Sequence, residues 1–289
     1  MSGGDYFLLV GDQSSKAPST IMAIRALLFD LDDTLAVDEA VSHEAFAHTA
    51  AVASSRFGVD PAIFAHDSML IARELWSEGE CRPYCRSIGI SAYECLWGGF
   101  AGEGEELTAL RNWAYAYRTQ VFARALSLQL ESVPADAPEV LAGEFASTRR
   151  ARQRLLPGAR ELISHLSPHC RLALLTNGAP DLQREKIAAT GLDSHFKAIA
   201  VSGEHGIGKP KPEIFHRLLG ELGVMPEEAV MVGNSLERDI AGARNVGIRS
   251  IWIRVPGSEE HAEVVPDYTI TSLGEIPAIL EEMDSDFGK

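Results

Sequence analysis

The chain has 289 residues, of which 46% are hydrophobic and 23% charged, and its formal net charge is −15. This composition is typical of a globular protein with one large domain or two modest ones. The negative net charge argues against a nucleic-acid partner, because binding a phosphate polymer requires a basic surface. The sequence contains no run of about 18 apolar residues, so it predicts no membrane-spanning helix.

The first 20 residues contain one apolar stretch, Tyr6 to Val10, and lack the basic start of a secretion signal. We interpret residues 1–20 as an N-terminal extension, for which disorder is one expectation. Without a secretion signal, the four cysteines are expected to be reduced thiols. These features predict a cytoplasmic protein, with a monomer and a homodimer both left open.

The first predicted strand, Ile24 to Phe29, is followed at once by the acidic sequence DLDDTL at residues 30–35. Ligands of open parallel α/β sheets bind at the carboxyl ends of the strands. Since side chains alternate along an extended segment, Asp30 and Asp32 can point into the same space. Two such carboxylates repel each other unless a cation or a shared proton relieves them, and Mg²⁺ prefers oxygen ligands. Taken alone, the pattern is more typical of a strand followed by an acidic turn.

From Val37 to about Arg154 the pattern is mostly helical and shows no strong strand signal. The predicted helices are Ser42–Phe57, Pro61–Trp76, Glu106–Leu130 and Pro138–Arg152, and residues 82–100 are predicted to be loop-rich. Ser42 is expected to cap the first of these helices and Gly58 to end it. We interpret residues 37–154 as a compact helical domain.

From Leu156 onward, predicted helices and strands alternate. The strands are predicted at 171–176, 197–201, 229–232 and 250–254, and the helices at 158–166, 181–190, 212–222 and 236–245. This alternation implies a parallel sheet covered by helices on both faces, which the strand at 24–29 must join. The predicted fold class is therefore α/β: a doubly wound parallel sheet built from residues 21–36 and 155–289, with the helical domain inserted.

Three further polar sequences follow in chain order: LTNG at 175–178, GKPKP at 208–212 and GNSLERD at 233–239. Together with DLDDT at 30–34, their order resembles the four motifs of the haloacid dehalogenase-like (HAD) hydrolase superfamily. The resemblance covers roughly residues 22–36 and 155–280. It implies a Rossmann-like core and identifies the helical insertion as a cap domain that closes over the active site.

The resemblance implies the catalytic roles of three residues. Asp30 would be the nucleophile that attacks phosphorus and forms an aspartyl-phosphate, and Asp32 would be the general acid and base. Lys209 would bring a positive charge to the phosphate oxygens and hold the nucleophile. Lys211 is the rival lysine in the same sequence, and the motif favours Lys209.

The same resemblance implies a phosphate-binding role for the end of the second strand. The hydroxyl of Thr176 would donate to a phosphoryl oxygen, and Asn177 and Gly178 would bring their backbone N–H groups close to it. Lys209 would complete this set of phosphate contacts.

The resemblance further implies a Mg²⁺ site, with Asp30, Asp32, Asn234 and Asp239 as its candidate ligands. Many relatives carry an aspartate where this chain has Asn234, so the site would have one formal negative charge less. An amide oxygen can still ligate Mg²⁺. Whether Asn234 or Asp239 is the direct ligand stays open, since Asp239 could also act through water or orient Lys209.

The resemblance favours a Mg²⁺-dependent phosphatase that hydrolyses a small phosphomonoester of the sugar phosphate or nucleoside monophosphate class. Dehalogenating relatives carry a different residue two positions after the nucleophile, so Asp32 favours the phosphatase. A phosphosugar mutase-type phosphotransferase, a haloacid dehalogenase and a catalytically weak binding protein of the same fold stay open as alternatives. The expected partner is a small-molecule phosphate ester.

Overall fold

The computed structural model describes residues 24–255 and 263–286, and the predicted N-terminal extension lies outside them. Six strands form one parallel sheet: β1 (Ala26–Phe29), β2 (Arg171–Thr176), β3 (Ala198–Val201), β4 (Ala229–Gly233), β5 (Arg249–Ile253) and β6 (Tyr268–Ile270). Their order is β3-β2-β1-β4-β5-β6, so that β1 pairs with both β2 and β4. The predicted doubly wound parallel sheet is confirmed, and ligands of such sheets bind where the strand order reverses, beside β1.

Residues 37–154, which follow β1, contain six helices: α1 (Glu39–Phe57), α2 (Pro61–Glu78), α3 (Arg82–Ile88), α4 (Ala92–Cys95), α5 (Glu105–Ser127) and α6 (Ala137–Ala151). We call residues 39–151 the helical segment. Its buried side chains form a hydrophobic cluster that includes Phe46 and Phe145, and Ala179 and Leu182 from outside the segment join it. The assignment of residues 37–154 as a cap domain stays a prediction.

Two short stretches join the helical segment to the sheet. Leu35 O accepts a hydrogen bond from Leu156 N–H (2.8 Å), and Arg154 O accepts one from Val37 N–H (3.0 Å). Between these two bonds, Ala36 and residue 155 form an antiparallel bridge. The chain therefore leaves and re-enters the core side by side, just beyond the carboxyl end of β1.

The remaining helices are α7 (Ala159–Leu166), α8 (Pro180–Thr190), α9 (Ser202–His205), α10 (Pro212–Leu222), α11 (Ala241–Asn245) and α12 (Ile276–Asp286). On one face of the sheet, Leu27 and Phe29 of β1 share a hydrophobic cluster with Ile276 of α12. On the other face, Leu28 shares a cluster with Phe215 of α10. Successive side chains of a strand point to opposite faces of the sheet. A strand formed by an apolar run therefore contributes side chains to the hydrophobic clusters on both faces.

Helix α1 begins at Glu39, and the prediction that Ser42 caps it is wrong. The Ser42 side chain is buried within the first turn, where its hydroxyl donates to Asp38 O (3.2 Å) and accepts from Arg149 Nε (3.1 Å). The predicted end at Gly58 is confirmed, since this glycine adopts a φ of 75° that residues with a side chain rarely adopt.

Two further regions differ from the predictions. Residues 82–100 are not mainly loop, because α3 and α4 lie within them. The sequence patterns do not predict β6 or α12, since a strand of three residues is too short to show a period.

In the described part of the chain, no helix combines the length and hydropathy that crossing a bilayer requires.

Candidate functional site

Asp30 lies at the carboxyl edge of the sheet, directly after β1. Its N–H donates to Val232 O of β4 (2.9 Å), which continues the pairing of the two strands. Its Oδ1 accepts a hydrogen bond from Lys209 Nζ (2.5 Å), and its Oδ2 accepts one from Thr34 Oγ1 (3.2 Å). The carboxylate is buried, and both of its oxygens are held in place.

Lys209 places a buried positive charge between two carboxylates. Its side chain is 2% exposed, and Nζ lies 2.5 Å from Asp30 Oδ1 and 2.7 Å from Asp239 Oδ1. Burial by itself would lower the pKa of Lys209, but Asp239 and Asp30 outweigh burial and raise it. Lys209 therefore stays charged beside the predicted nucleophile, whereas Lys211 is exposed.

Asp239 lies in the predicted helix 236–245, which begins as a π-helical stretch, Leu236–Ile240, and continues as α11. Its Oδ2 accepts a hydrogen bond from Ser235 N–H (2.9 Å). Burial raises the pKa of Asp239 to about 6, although the charge of Lys209 opposes the rise. A Cβ at Gly233 would overlap the Asp239 carboxylate, so this approach explains the glycine that ends β4.

The end of β2 is held by hydrogen bonds within the protein. Asn177 Nδ2 donates to Lys209 O (2.9 Å), and Lys209 N–H donates to Asn177 Oδ1 (2.9 Å). The side chain of Asn177 therefore fixes the backbone that carries Lys209. Gly178 N–H donates to Ser202 Oγ (2.9 Å), so the prediction that this N–H is directed at phosphate is wrong.

Thr176 and Asp32 both contact Gln183 of α8. Gln183 Nε2 lies 2.6 Å from Thr176 Oγ1 and 2.8 Å from Asp32 Oδ2. Asp32 Oδ1 accepts a further hydrogen bond from Lys186 Nζ (2.9 Å). Burial raises the pKa of Asp32 to about 8, against the opposing charge of Lys186, and neighbouring carboxylates add to the rise. Near neutral pH this shift favours the protonated carboxyl that a general acid requires.

Gln183, Lys186 and Glu94 contact the site but were absent from the sequence-based candidates. Gln183 and Lys186 are buried three residues apart on one face of α8, and Glu94 is buried in α4. A glutamine and a lysine at helical spacing, on the helix that follows the second motif, were the available signal. The signal is weak, because the same spacing occurs on solvated helix faces.

Two adjoining cavities lie between the sheet edge and the helical segment. The smaller, about 360 Å³, is lined by Asp30, Asp32, Asn234 and Asp239 from the core and by Glu94 from the helical segment. The larger cavity has a volume of about 660 Å³. Its lining includes Arg73, Arg86 and Tyr93 from the helical segment and Asn177, Lys209 and Arg238 from the core. The predicted catalytic and metal-binding residues thus border one space.

The donors around the smaller cavity suit a hard cation. In residues 24–255 and 263–286, no three His, Cys, Asp or Glu side chains are grouped as a metal-ligand set. The carboxylates of Asp30 and Asp239 nevertheless border the same cavity as the amide of Asn234. Asp239 Oδ1 is buried and lies near Lys209 Nζ without an aligned hydrogen bond, so it retains lone pairs for a further partner. Carboxylate and amide oxygens of this kind are suitable ligands for Mg²⁺.

Comparison with known proteins decides the family. The family model described as a haloacid dehalogenase-like hydrolase matches residues 24–247. The chain belongs to this family. The hydrolase is 40% identical over 254 residues to a phosphoserine phosphatase of Thermus thermophilus, a match that covers 88% of this chain and 98% of the relative. It is 40% identical over 142 residues to the human N-acylneuraminate-9-phosphatase, covering 48% of this chain and 57% of that protein.

A solved structure supports the fold of the hydrolase. The HAD-hydrolase YfnB from Bacillus subtilis, bound to magnesium, superposes with a TM-score of 0.60 and 23% identity, covering 89% of this chain and 98% of that chain. This superposition confirms the predicted α/β fold, and the family model and the phosphoserine phosphatase relative confirm the predicted superfamily. The prediction of a phosphoric monoester hydrolase is also confirmed, by the family match and the relatives named as phosphatases.

Proposed function

We propose that the hydrolase is a Mg²⁺-dependent phosphatase that cleaves a small phosphomonoester through an aspartyl-phosphate on Asp30. The observation that carries the proposal is the buried Asp30 carboxylate at the end of β1, held by Lys209 and Thr34 and facing the same cavity as Asp32. This arrangement supplies a fixed nucleophile, a permanent positive charge and a carboxyl group with a raised pKa.

In the first proposed step, a carboxylate oxygen of Asp30 attacks phosphorus, and the bond between phosphorus and the ester oxygen breaks. The protonated carboxyl of Asp32 gives its proton to the departing oxygen, which leaves as an alcohol. Lys209 stays positively charged throughout and stabilises negative charge that develops on the phosphoryl oxygens.

In the second proposed step, water attacks the phosphorus of the aspartyl-phosphate, and the bond between phosphorus and the Asp30 oxygen breaks. Asp32, now ionised, takes the proton from the attacking water, so that both carboxyl groups return to their starting states. When bound, Mg²⁺ would neutralise negative charge near the phosphoryl group. The side chains of Asp30, Asn234 and Asp239 and the backbone carbonyl of Asp32 are the groups that we propose to hold it.

The substrate class follows from the cavity and from the relatives. The larger cavity is lined by the cations Arg73, Arg86 and Arg238 and by the anions Glu39 and Glu237. Such a lining suits a phosphomonoester that carries further charged groups. The names of the relatives make phosphoserine and N-acylneuraminate 9-phosphate the first substrates to test, beside the sugar phosphates and nucleoside monophosphates predicted from the sequence.

The experiment combines turnover with trapping of the intermediate. Phosphate release is measured for these substrates with Mg²⁺ and with a chelator, and acid-quenched samples are digested to locate the phosphoryl group by peptide mass spectrometry. We expect Mg²⁺-dependent release and a phosphorylated peptide containing Asp30. Phosphoryl transfer to a sugar would favour the phosphosugar mutase, halide release from a 2-haloacid would favour the dehalogenase, and an inert protein would favour the binding protein.

The remaining expectations stay predictions. They concern the cytoplasmic location, the choice between monomer and homodimer, the absence of a nucleic-acid partner, and the closure of residues 37–154 over the site. The short connections at residues 35–37 and 154–156 support the proposed closure. A domain that is joined to the core by two adjacent connections can rotate about them as a hinge.

A further inference from the structure

Lys186 of α8 is a buried cation to which the proposed mechanism gives no role. Its side chain is 4% exposed, and Nζ lies 2.9 Å from Asp32 Oδ1, 2.8 Å from Asp38 Oδ1 and 2.9 Å from Glu94 Oε1. Burial would lower the pKa of Lys186, but the three carboxylates outweigh burial and raise it. An ammonium group donates at most three hydrogen bonds, so these three carboxylates match its full capacity.

Both oxygens of Asp32 are occupied by side chains of α8. Lys186 contacts Oδ1, and Gln183 Nε2 lies 2.8 Å from Oδ2. The same Gln183 amide is 2.6 Å from Thr176 Oγ1, at the end of β2. Because Gln183 and Lys186 are three residues apart, one helix face sets the orientation of the Asp32 carboxyl group.

Lys186 also joins Asp32 to the helical segment. Glu94 Oε1 accepts from Lys186 Nζ, and Glu94 Oε2 accepts from Ser91 N–H (2.8 Å) at the start of α4. Asp38, in the connection before α1, pairs with Lys186 and with Arg149 of α6. Lys186 therefore contacts the core, the connection and the helical segment through a single charged group.

We propose that Lys186 is a positioning residue that, with Gln183, aims the carboxyl group of Asp32 at the ester oxygen and ties it to Glu94 of the helical segment. This inference rests on the proposed function, because it requires Asp32 to be the acid and base. Misplacing a reacting group by about 1 Å can cost about 10²-fold in rate. Loss of Lys186 should therefore weaken proton transfer and leave the phosphate contacts of Lys209 in place.

The test measures how the rate of phosphoenzyme formation depends on the leaving group. Wild type and Lys186→Met are each mixed, in separate single-turnover experiments, with aryl phosphates whose leaving-group pKa values span several units. We expect Lys186→Met to lose about 10²-fold with the poorest leaving groups and less than about threefold with the best, which need little proton transfer. KM should change little compared with kcat.

Arg149→Met is the matched control. It removes another buried cation of the same cluster, one that pairs with Asp38 and lies over the ring of Trp97, but it leaves both contacts of Asp32 intact. We expect its leaving-group dependence to equal that of wild type, whatever its effect on stability. This control separates the positioning of Asp32 from damage to the cluster as a whole.

A second variant covers the case in which Lys186→Met does not fold. The double variant Lys186→Met/Glu94→Gln removes one positive and one negative charge, so the formal charge of the cluster is unchanged. It has also lost the contact between Lys186 and Asp32. We therefore expect it to show the same steeper leaving-group dependence.

The outcomes separate the two proposals. A folded Lys186 variant with the leaving-group dependence of wild type, or with an equal loss for every leaving group, overturns the positioning role. If the Lys186 variant gives either of these results while wild type hydrolyses aryl phosphates through a phosphoenzyme, the proposed function still stands. Wild type that forms no phosphoenzyme with any substrate overturns the proposed function and, with it, the role of Lys186.

Discussion

Two buried lysines, Lys209 and Lys186, hold two neighbouring aspartates by different means. Lys209 pairs with Asp30 and Asp239, and all three residues lie at the carboxyl edge of the sheet. Lys186 pairs with Asp32 but also with a carboxylate of the helical segment. The contacts of the first lysine lie within the core, whereas those of the second depend on how the helical segment packs on that core.

The difference suggests a division of tasks within one site. The proposed nucleophile needs a fixed place relative to phosphate, and a cluster confined to the core provides it. The proposed acid and base needs to meet the leaving group only when substrate is bound, and it belongs to a cluster that includes the helical segment. The predictions below test each side of this comparison.

The largest effect is expected on the Lys209 side. Asp30→Asn removes the proposed nucleophile, and turnover should fall by roughly 10⁴-fold or more, as losses of covalent nucleophiles do. Phosphate release and phosphoenzyme formation are measured on purified protein, with circular dichroism to confirm folding. Asp33→Asn is the control, because it changes a neighbouring carboxylate whose side chain accepts hydrogen bonds from the backbone of residues 38 and 39. Turnover of Asp30→Asn within tenfold of wild type would rule out the covalent mechanism.

The second prediction concerns the Lys186 side. Asp32→Asn should slow phosphoenzyme formation and hydrolysis by about 10²–10⁴-fold, the range of general acid–base catalysis. Formation should suffer less when the leaving group is good. Pre-steady-state measurements with aryl phosphates of different leaving-group pKa resolve the two steps. Equal losses in formation across the series would contradict an acid role for Asp32.

The third prediction compares two lysines of one loop. Lys209→Met should lower kcat by about 10²–10³-fold, because a preorganised positive charge at the phosphoryl group is lost. It should also lower the free energy of unfolding by about 3–5 kcal/mol, since two buried carboxylates lose their counter-ion. Lys211→Met, at an exposed position, should leave both quantities close to wild type. Similar effects of the two substitutions would show that position 209 has no special role.

The fourth prediction concerns the metal. Asn234→Asp adds a negative charge beside the cavity, so Mg²⁺ should bind more tightly by roughly fivefold or more. Isothermal calorimetry measures the affinity directly, and a Mg²⁺ titration of activity at the same pH and ionic strength gives the midpoint. An unchanged affinity would place residue 234 away from the metal and make Asp239 the better candidate ligand.

The last prediction is a pH dependence of stability on the Lys186 side. The pKa of Asp32 rises from 3.8 to about 8 in the folded protein. Between these values the unfolded chain loses a proton that the folded protein keeps, so wild type loses stability as pH rises. The stability of Asp32→Asn relative to wild type should therefore increase between about pH 4 and pH 8. Denaturant titrations with a chelator present measure the difference, and a constant value would contradict the raised pKa.

Much of the core could be predicted from local patterns. Apolar runs marked five of the six strands, and their alternation with helices implied the parallel sheet. The end of each parallel strand lies at the same edge, so the motifs at residues 30, 176 and 234 had to meet there. The pairing of Asp30 with Lys209 follows from this convergence, even though 179 positions separate the two residues.

The sequence by itself therefore determined the fold class and the family and pointed to Asp30 as the proposed nucleophile, since short stretches carry each of these. Only the tertiary structure decided the surroundings of Asp32. The pairing of Lys186 with Glu94 spans 92 positions and depends on how α8 packs between the sheet and the helical segment. No local sequence pattern records that packing, because a lysine that becomes buried on folding and a lysine that stays in solvent are indistinguishable in the sequence.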